Sequence, residues 1–496
     1  MDPTECARRL EALRIRAAQP GGLSPAECAE LLDLASRLQR KLVHWRRLQA
    51  SLDQRLAMAE DSLSLSTARR VGAAVAQLRE RLMRVLGNPP KPKPVLRGEI
   101  RIQEFLTPRG PFVAAYDSLG RLSPDAIPEA AHKAAQSEYD LLYADEAQAD
   151  ARGQALAPLL RPDWSPELLS SCMYMGRFLA ISKSAWEAAA GFSGMYDLAK
   201  RVTARSPRVA RIPKVLYYAP PSGVELGQSA APLGGGPLAS LIVCSRNGAL
   251  LKRCLAGVAR QTRYRPYEVV VVAHRGFDDG ALDAAARRHG ATVVPYTGPF
   301  HFALMCNQGA AAARGDLLVF LNDDVVPLVA DWLGFLAVHA VRNQVGAVGA
   351  KLVYPSGTIQ HAGVAVGIMD GAGHPGRGTF GRPWWPWLDF TREVSAVTGA
   401  CLALRAEVFR SLGGYDQRFP VNYNDVDLCL RLRSIGLQVL VEPRALLRHD
   451  ECRSRVGRTT VQERELLYDL WGDALEAGDP FYHPALPHDR EDLWLA

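Results

Sequence analysis

Three short segments of the chain carry residue types that could perform group transfer. Asn322-Asp323-Asp324 directly follows an apolar run ending at Leu321. Two carboxylates and an amide at that point offer the hard oxygen ligands that suit Mg²⁺ or Mn²⁺ on a diphosphate. The same tripeptide would also serve as a plain polar turn. Tyr423-Asn-Asp-Val-Asp427 leads into Leu-Cys-Leu-Arg-Leu-Arg-Ser-Ile-Gly436. This predicts a helix with acids in its first turn, arginines in its last and a terminating glycine. Either Asp425 and Asp427 serve the helix dipole, or one of them faces a cleft and deprotonates an acceptor hydroxyl. His449, in Leu447-Arg-His-Asp450, follows the strand-like Val439-Leu-Val-Glu-Pro443 by a few residues. It is either a ligand or an ordinary hydrogen-bonded histidine. Glycines and aromatics between 371 and 390, including Trp384, Trp385 and Trp387, form either a flexible flap with sugar-stacking faces or a loop pinned to its own domain.

Regular elements must position these groups. From residue 239 onward, apolar runs alternate with helical stretches. Ser240–Cys244, Glu268–Val272, 291–294 and 316–321 predict strands; 250–261, 281–289 and 306–314 predict helices. That alternation implies a parallel sheet covered on both faces, whose ligands sit at the carboxyl ends of the strands. Upstream, Leu31, Leu34, Leu38, Leu42, Trp45, Leu48, Leu52 and Leu56 recur at helical spacing, as do Val71, Val75, Leu78, Leu82 and Val85. A helical hairpin or short coiled coil follows, packed on the next domain or pairing two copies. Gly87-Asn-Pro-Pro-Lys-Pro-Lys-Pro94 breaks helix and strand alike and reads as a stiff linker.

With 496 residues the chain has room for two or three domains. Its net charge of +7 is modest and selects no nucleic-acid or membrane partner. The nine scattered cysteines, without a Cys-x-x-Cys pair, read as reduced core thiols of a cytoplasmic protein. The N-terminus has no signal-peptide pattern, and no apolar run reaches the roughly 20 residues needed to cross a bilayer.

Taken in order, the segments Ser240–Asn247, Asn307–Asp324, Gly346–Gly363, Val397–Leu402, Gly413–Asp416 and Asn424–Leu428 resemble the family 2 glycosyltransferases, in particular bacterial rhamnosyltransferase-like and O-antigen enzymes. The resemblance implies an α/β fold of the GT-A type, with a mostly parallel sheet. It implies inverting transfer of a sugar from a nucleotide-diphosphate donor, UDP- or dTDP-linked, to a glycan or lipid-linked acceptor, with Mg²⁺ or Mn²⁺ as cofactor. Asp425 falls at the family's general base. Asn322, Asp324 and His449 fall at its metal site. Ser245 and Asp323 fall on the nucleotide side. Relatives carry an Asp after the second strand to contact the base. Here the strand ends Val272-Ala273-His274-Arg275, which leaves Asp278 as the nearest substitute. Cys244 stands in place of a usual proline, and Arg448 in place of the first of two adjacent histidines.

Residues 100 to 218 resemble the later half of the same fold, with Asp117 opposite Asn322, Leu119 opposite Asp324 and Met195 opposite Asp425. Leucine binds no cation and methionine accepts no proton, so this copy is expected to be catalytically dead. The expected organisation is a helical hairpin over 1–90 and a partial GT-A-like domain over 91–222. A linker over 223–238, the catalytic domain over 239–477 and a tail over 478–496 complete it. Further expectations are a homodimer through the N-terminal helices and peripheral contact with the inner membrane face. The competing readings are a non-catalytic pseudo-glycosyltransferase used as a scaffold, which the missing Asp favours, and a sugar nucleotidyltransferase. The latter would want a better phosphate loop than Ser245-Arg-Asn-Gly248. A dinucleotide dehydrogenase is excluded because Gly234-Gly-Gly236 precedes the strand rather than following it.

Overall fold

A computed structural model describes residues 95–150, 154–205, 208–369, 371–382, 384–450 and 460–495. By internal contacts the chain divides into 1–91 with 355–357, and 92–354 with 358–496. The fold described here is that of the second unit. The N-terminal hairpin and the proline-rich linker lie outside the described residues.

Two sheets form in succession along that unit. The first contains β1 (Ile100–Thr107), β2 (Gly110–Asp117), β3 (Arg121–Leu122), β4 (Leu141–Ala149), β5 (Ala155–Leu159), β6 (Phe178–Ser182) and β7 (Val209–Ala219), in the order β1-β2-β6-β4-β7-β3 with β5 paired to β4. The second contains β8 (Gly235–Ser245), β9 (Arg265–His274), β10 (Thr292–Tyr296), β11 (Leu317–Asn322), β12 (Val325–Pro327), β13 (Val345–Val353) and β14 (Ile359–His361). A small ribbon of β15 (Ala365–Val366) and β16 (Ala372–Gly373) follows, then β17 (Arg392–Glu393), β18 (Cys401–Arg405) and β19 (Gln438–His449). The second sheet runs β10-β9-β8-β11-β18-β13-β19-β12, with β14 on β13 and β17 on β19.

The expected alternation is present. Helices Gly248–Gln261, Asp279–Arg288 and Phe302–Ala312 connect β8, β9, β10 and β11, which pair in parallel. Val243, Val271 and Val319 on one face and Ile242, Val270 and Phe320 on the other enter separate apolar clusters, as a doubly covered sheet requires. β18 is antiparallel to both β11 and β13, β13 and β19 are parallel, and β12 is antiparallel to β19. The sheet is therefore α/β and mostly parallel. Two boundaries shift from the sequence reading. β8 starts at Gly235, inside the expected linker, and β19 continues past Pro443 to His449. A register break between Ala350 and Lys351, opposite the 442–446 stretch, lets β19 absorb the proline and go on.

Strands β2, β3, β4, β6 and β7 pair in the same pattern as β11, β12, β13, β18 and β19. β2 and β4 are antiparallel to β6, β4 is parallel to β7, and β3 is antiparallel to β7. The register break recurs between Ala144 and Asp145. The Asp117 N–H donates to the Arg177 carbonyl (3.1 Å) as the Asn322 N–H donates to the Ala400 carbonyl (3.0 Å). Stepping along these ladders sets Asp117 at the place of Asn322, Leu119 at that of Asp324 and Ala219 at that of His449. Asp197 pairs with Arg201 one helical turn on, as Asp427 pairs with Arg431.

A single apolar cluster joins the two sheets. Tyr143, Leu160 and Tyr174 pack with Trp385, Trp387 and Leu388 and with Tyr482, Leu486 and Leu493 near the C-terminus. Trp387 is 0% exposed and its indole N–H donates to the Leu160 carbonyl (2.7 Å). Trp385 is 2% exposed, and Trp384 donates to the Leu493 carbonyl (2.8 Å) while packing edge-on against Trp494. The aromatics of 384–387 thus pin a loop; they present no sugar-stacking face. The stretch expected to be a tail is bolted in by His483, whose Nε2 lies 2.7 Å from the buried Asp145 carboxylate. The six described cysteines are buried and free, as core thiols. Among the described residues no helix is long and apolar enough to cross a membrane.

Candidate active site

The carboxyl ends of β8 and β11 open into a cleft of about 100 Å³. Its walls bring together Ser245, Asn322, Asp323, Asp425 and His449 from segments far apart in sequence. Asp324 adjoins it through His449, its Oδ1 lying 3.2 Å from His449 Nε2. Asp278 is not in the cleft. Its Oδ2 accepts the Gly248 N–H (3.0 Å) at the start of helix Gly248–Gln261, and the residue is exposed outside the cleft.

Asp425 and Asp427 part company in space. Tyr423 adopts a left-handed backbone (φ 60°), a conformation few non-glycine residues hold, and helix Asn424–Ser434 starts immediately after it. Asp427 is buried, bonded to Arg431 (2.8 Å) and to the Trp471 indole N–H (3.1 Å), and holds the helix in place. Asp425 is half-buried at the cleft wall. Its Oδ2 accepts the Gly399 N–H at 2.7 Å and its Oδ1 accepts its neighbour Val426's N–H at 2.9 Å. Both oxygens are oriented by backbone, and the carboxylate keeps lone pairs for a substrate hydroxyl.

Asn322 Oδ1 and His449 Nδ1 are buried atoms without a hydrogen-bond partner, and Asp324 Oδ1 has only the His449 ring nitrogen at 3.2 Å. An unpartnered buried polar atom costs free energy that a cation would recover. No group of three or more His, Cys, Asp or Glu among the described residues is disposed to hold a metal by itself. Mg²⁺ and its like, however, are held by one or two carboxylates plus substrate phosphates. The donors present fit such an ion. Ser245 Oγ donates to Asp323 Oδ2 (2.6 Å), and burial pushes the Asp323 carboxyl up to about 7 against the pull of that hydrogen bond.

Sequence reasoning missed part of the lining. Arg246 lies over Phe277 and Phe300, 5.8 and 5.3 Å from the ring centroids, and Phe277 is largely exposed. His274 sits beside these rings, its Nε2 bonded to the Gly298 carbonyl (2.8 Å). His374 and Arg377 reach the cleft from the loop after β16. His361 backs them: its Nε2 accepts the Gly363 N–H (3.3 Å), so its Nδ1 carries the proton toward His374 Nδ1 at 3.0 Å. Burial holds the His361 ring well below the usual histidine range, in the neutral form. The one signal in the sequence was that Arg246 and Phe277 each closely follow a strand, β8 and β9.

A family model described as "Glycosyltransferase like family 2" matches residues 236–465. The O-antigen biosynthesis protein RfbC of Myxococcus xanthus is 34% identical over 446 residues, 79% of this chain and 35% of that protein. The chain thus spans about a third of that relative's length. The N-acetylglucosaminyl-diphospho-decaprenol L-rhamnosyltransferase of Mycobacterium tuberculosis (strain CDC 1551 / Oshkosh) is 26% identical over 236 residues, 42% of this chain and 74% of that protein. Among solved structures, GalNAc-T7 with UDP, GalNAc and Mn²⁺ superposes on 48% of this chain and 50% of its own, with 14% identity and a TM-score of 0.39.

Proposed function

Since residues 236–465 form a domain of glycosyltransferase family 2, we propose that the chain is a metal-dependent, inverting transferase working from this one cleft. The donor is a nucleotide-diphosphate sugar, UDP- or dTDP-linked, and the acceptor a hydroxyl of a cell-surface glycan or lipid-linked saccharide. The observation that carries the reading is Asp425, a carboxylate oriented by the Gly399 N–H in the same cleft as the orphaned Asn322 oxygen.

Asp425 accepts the proton of the acceptor hydroxyl as its oxygen bonds to the anomeric carbon. The bond from that carbon to the diphosphate oxygen breaks, and the electron pair leaves with the nucleoside diphosphate. One-step attack from the opposite side inverts the anomeric centre. Asn322, Asp324 and His449 would hold a divalent ion, which supplies charge neutralisation to the leaving diphosphate. Arg246 and Arg377 add fixed positive charge to the same walls. Arg246 with Phe277 and Phe300 offers a stacking platform to the base, where relatives use the missing Asp.

The module of residues 95–219 is proposed to be a partial, non-catalytic copy, because Leu119, Ala219 and Met195 occupy the ligand and base positions. Peripheral membrane contact, a cytoplasmic location and dimerisation through the N-terminal helices belong to the same proposal. Purified protein with Mn²⁺ or Mg²⁺ and a panel of UDP-, dTDP- and GDP-sugars tests it. Metal-dependent release of a nucleoside diphosphate, lost in Asp324→Ala, is expected. Folded protein that binds no donor with or without metal would contradict it and leave the scaffold reading.

A further inference from the structure

A second cavity is larger than the cleft. It measures about 650 Å³ and opens in the first sheet at the place that corresponds to the cleft of the second. Asp117 at the end of β2, Arg177 before β6 and Met195 at the start of helix Met195–Arg205 line it. Their counterparts line the cleft as Asn322, Ala400 and Asp425. The site has therefore lost its metal and proton-transfer groups while remaining open.

Several charges around it are already committed. Glu146 pairs with Arg161 (2.9 Å), Glu225 with Arg97 (2.7 Å) and Asp197 with Arg201 (3.1 Å). The Asp117 carboxylate takes the N–H groups of Gly98 (2.9 Å) and Leu119 (2.7 Å). Four side chains are left over. Arg177, Lys200, Gln148 and Glu99 line the cavity, and none of their side chains hydrogen-bonds or ion-pairs with any described residue; Lys200 lies over the Tyr196 ring, 4.6 Å from its centroid. Arginine and lysine only donate, the carboxylate only accepts, and the glutamine amide does both.

That mixture selects the occupant. A diphosphate accepts hydrogen bonds only, and the carboxylates of Glu99 and Asp117 in the cavity wall would repel it. Sugar hydroxyls donate and accept alike, as this set of side chains does. The volume is within the range of small-molecule sites, about 300–1,000 Å³. We propose that this cavity is a second saccharide-binding site, which holds the acceptor glycan away from the reacting centre. The acceptor role rests on the transferase reading; the sugar binding does not.

The test uses the full chain without donor on a microarray of bacterial surface polysaccharides and their oligosaccharide fragments. The wild type is compared with Arg177→Ala and with Gln148→Ala, and donor turnover and thermal melting are measured on all three. We expect wild-type retention on at least one glycan and a loss of at least ~10-fold in each variant. Melting and donor release without acceptor should stay unchanged. Retention of no glycan by the wild type, or equal retention by the variants, would overturn the inference. Glycan binding through the cavity by a chain that turns over no donor would uphold the site and remove the transferase reading instead.

Discussion

Two regions of this molecule share a pairing pattern and differ in the side chains at its matched positions. In the second sheet the turn after β11 and the end of β19 bring Asn322, Asp324 and His449 to one place. In the first, Asp117, Leu119 and Ala219 stand at the same points, and Asp117 is spent on two backbone N–H groups. What is common to both is what the fold requires: the antiparallel central strand, the register break, the Asp197–Arg201 and Asp427–Arg431 pairs. What differs is the flanking strands, with β1 antiparallel to β2 where β8 is parallel to β11, and the side chains at the three matched positions. On the proposed reading the fold outlives its chemistry, because packing and catalysis depend on different side chains of the same elements. The two regions are also one structure, locked through Trp387, Glu393 and His483.

The sharpest way to break the contrast is at the base. Asp425→Asn keeps size and the Gly399 contact but cannot take a proton, and should lower kcat by about 10²- to 10⁴-fold without moving the melting temperature. Steady-state donor turnover with acceptor reads this directly. Next is the seam. Trp387→Ala empties a fully buried site shared by both regions and should cost about 3–5 kcal/mol, seen in urea denaturation as a lower midpoint of one common transition. Two separate transitions would mean the regions fold independently.

A pH effect at the same seam comes third. Burial pushes the Glu393 carboxyl from 4.5 to about 7, so the folded state holds a proton that the unfolded state releases. This contribution is fully present below about pH 4.5, is lost as pH rises to about 7 and is constant above. It spans about 3 kcal/mol. The stability of wild type relative to Glu393→Gln should shrink by that order between pH 4.5 and 8; a flat difference would place the proton elsewhere. The smallest effect belongs to the first region. Leu119→Ala and Met195→Ala should leave donor turnover within about 2-fold, given melting temperatures close to wild type. A large loss of turnover in a stable variant would make that region part of the chemistry.

Much of this was legible in the sequence where local signals are strong. Unbroken apolar runs such as Val269–Val272 have only one use in an alternating α/β chain, and they form the core strands. The cleft residues Ser245, Asn322, Asp323 and Asp425 were legible because they end or begin such elements. Other features depend on information that spacing does not carry. Pro443 hid the continuity of β19, since a bulge that rescues a proline leaves no local mark. Aromatic composition could not say which way Trp384, Trp385 and Trp387 face; contacts with Leu160 and Leu493 decide that. The Ser165–Glu393 hydrogen bond joins residues 228 apart. Spacing likewise gave no sign that Asp278 accepts the Gly248 N–H at a helix start, outside the cleft.

The central claim is that one cleft, and not two, handles the donor. Isothermal titration of the full chain with Mn²⁺ and whichever of UDP, dTDP or GDP binds tightest measures it. One nucleotide per chain, lost in Asp324→Ala, is the predicted result. Two nucleotides per chain, or a site that persists in Asp324→Ala, would contradict the account.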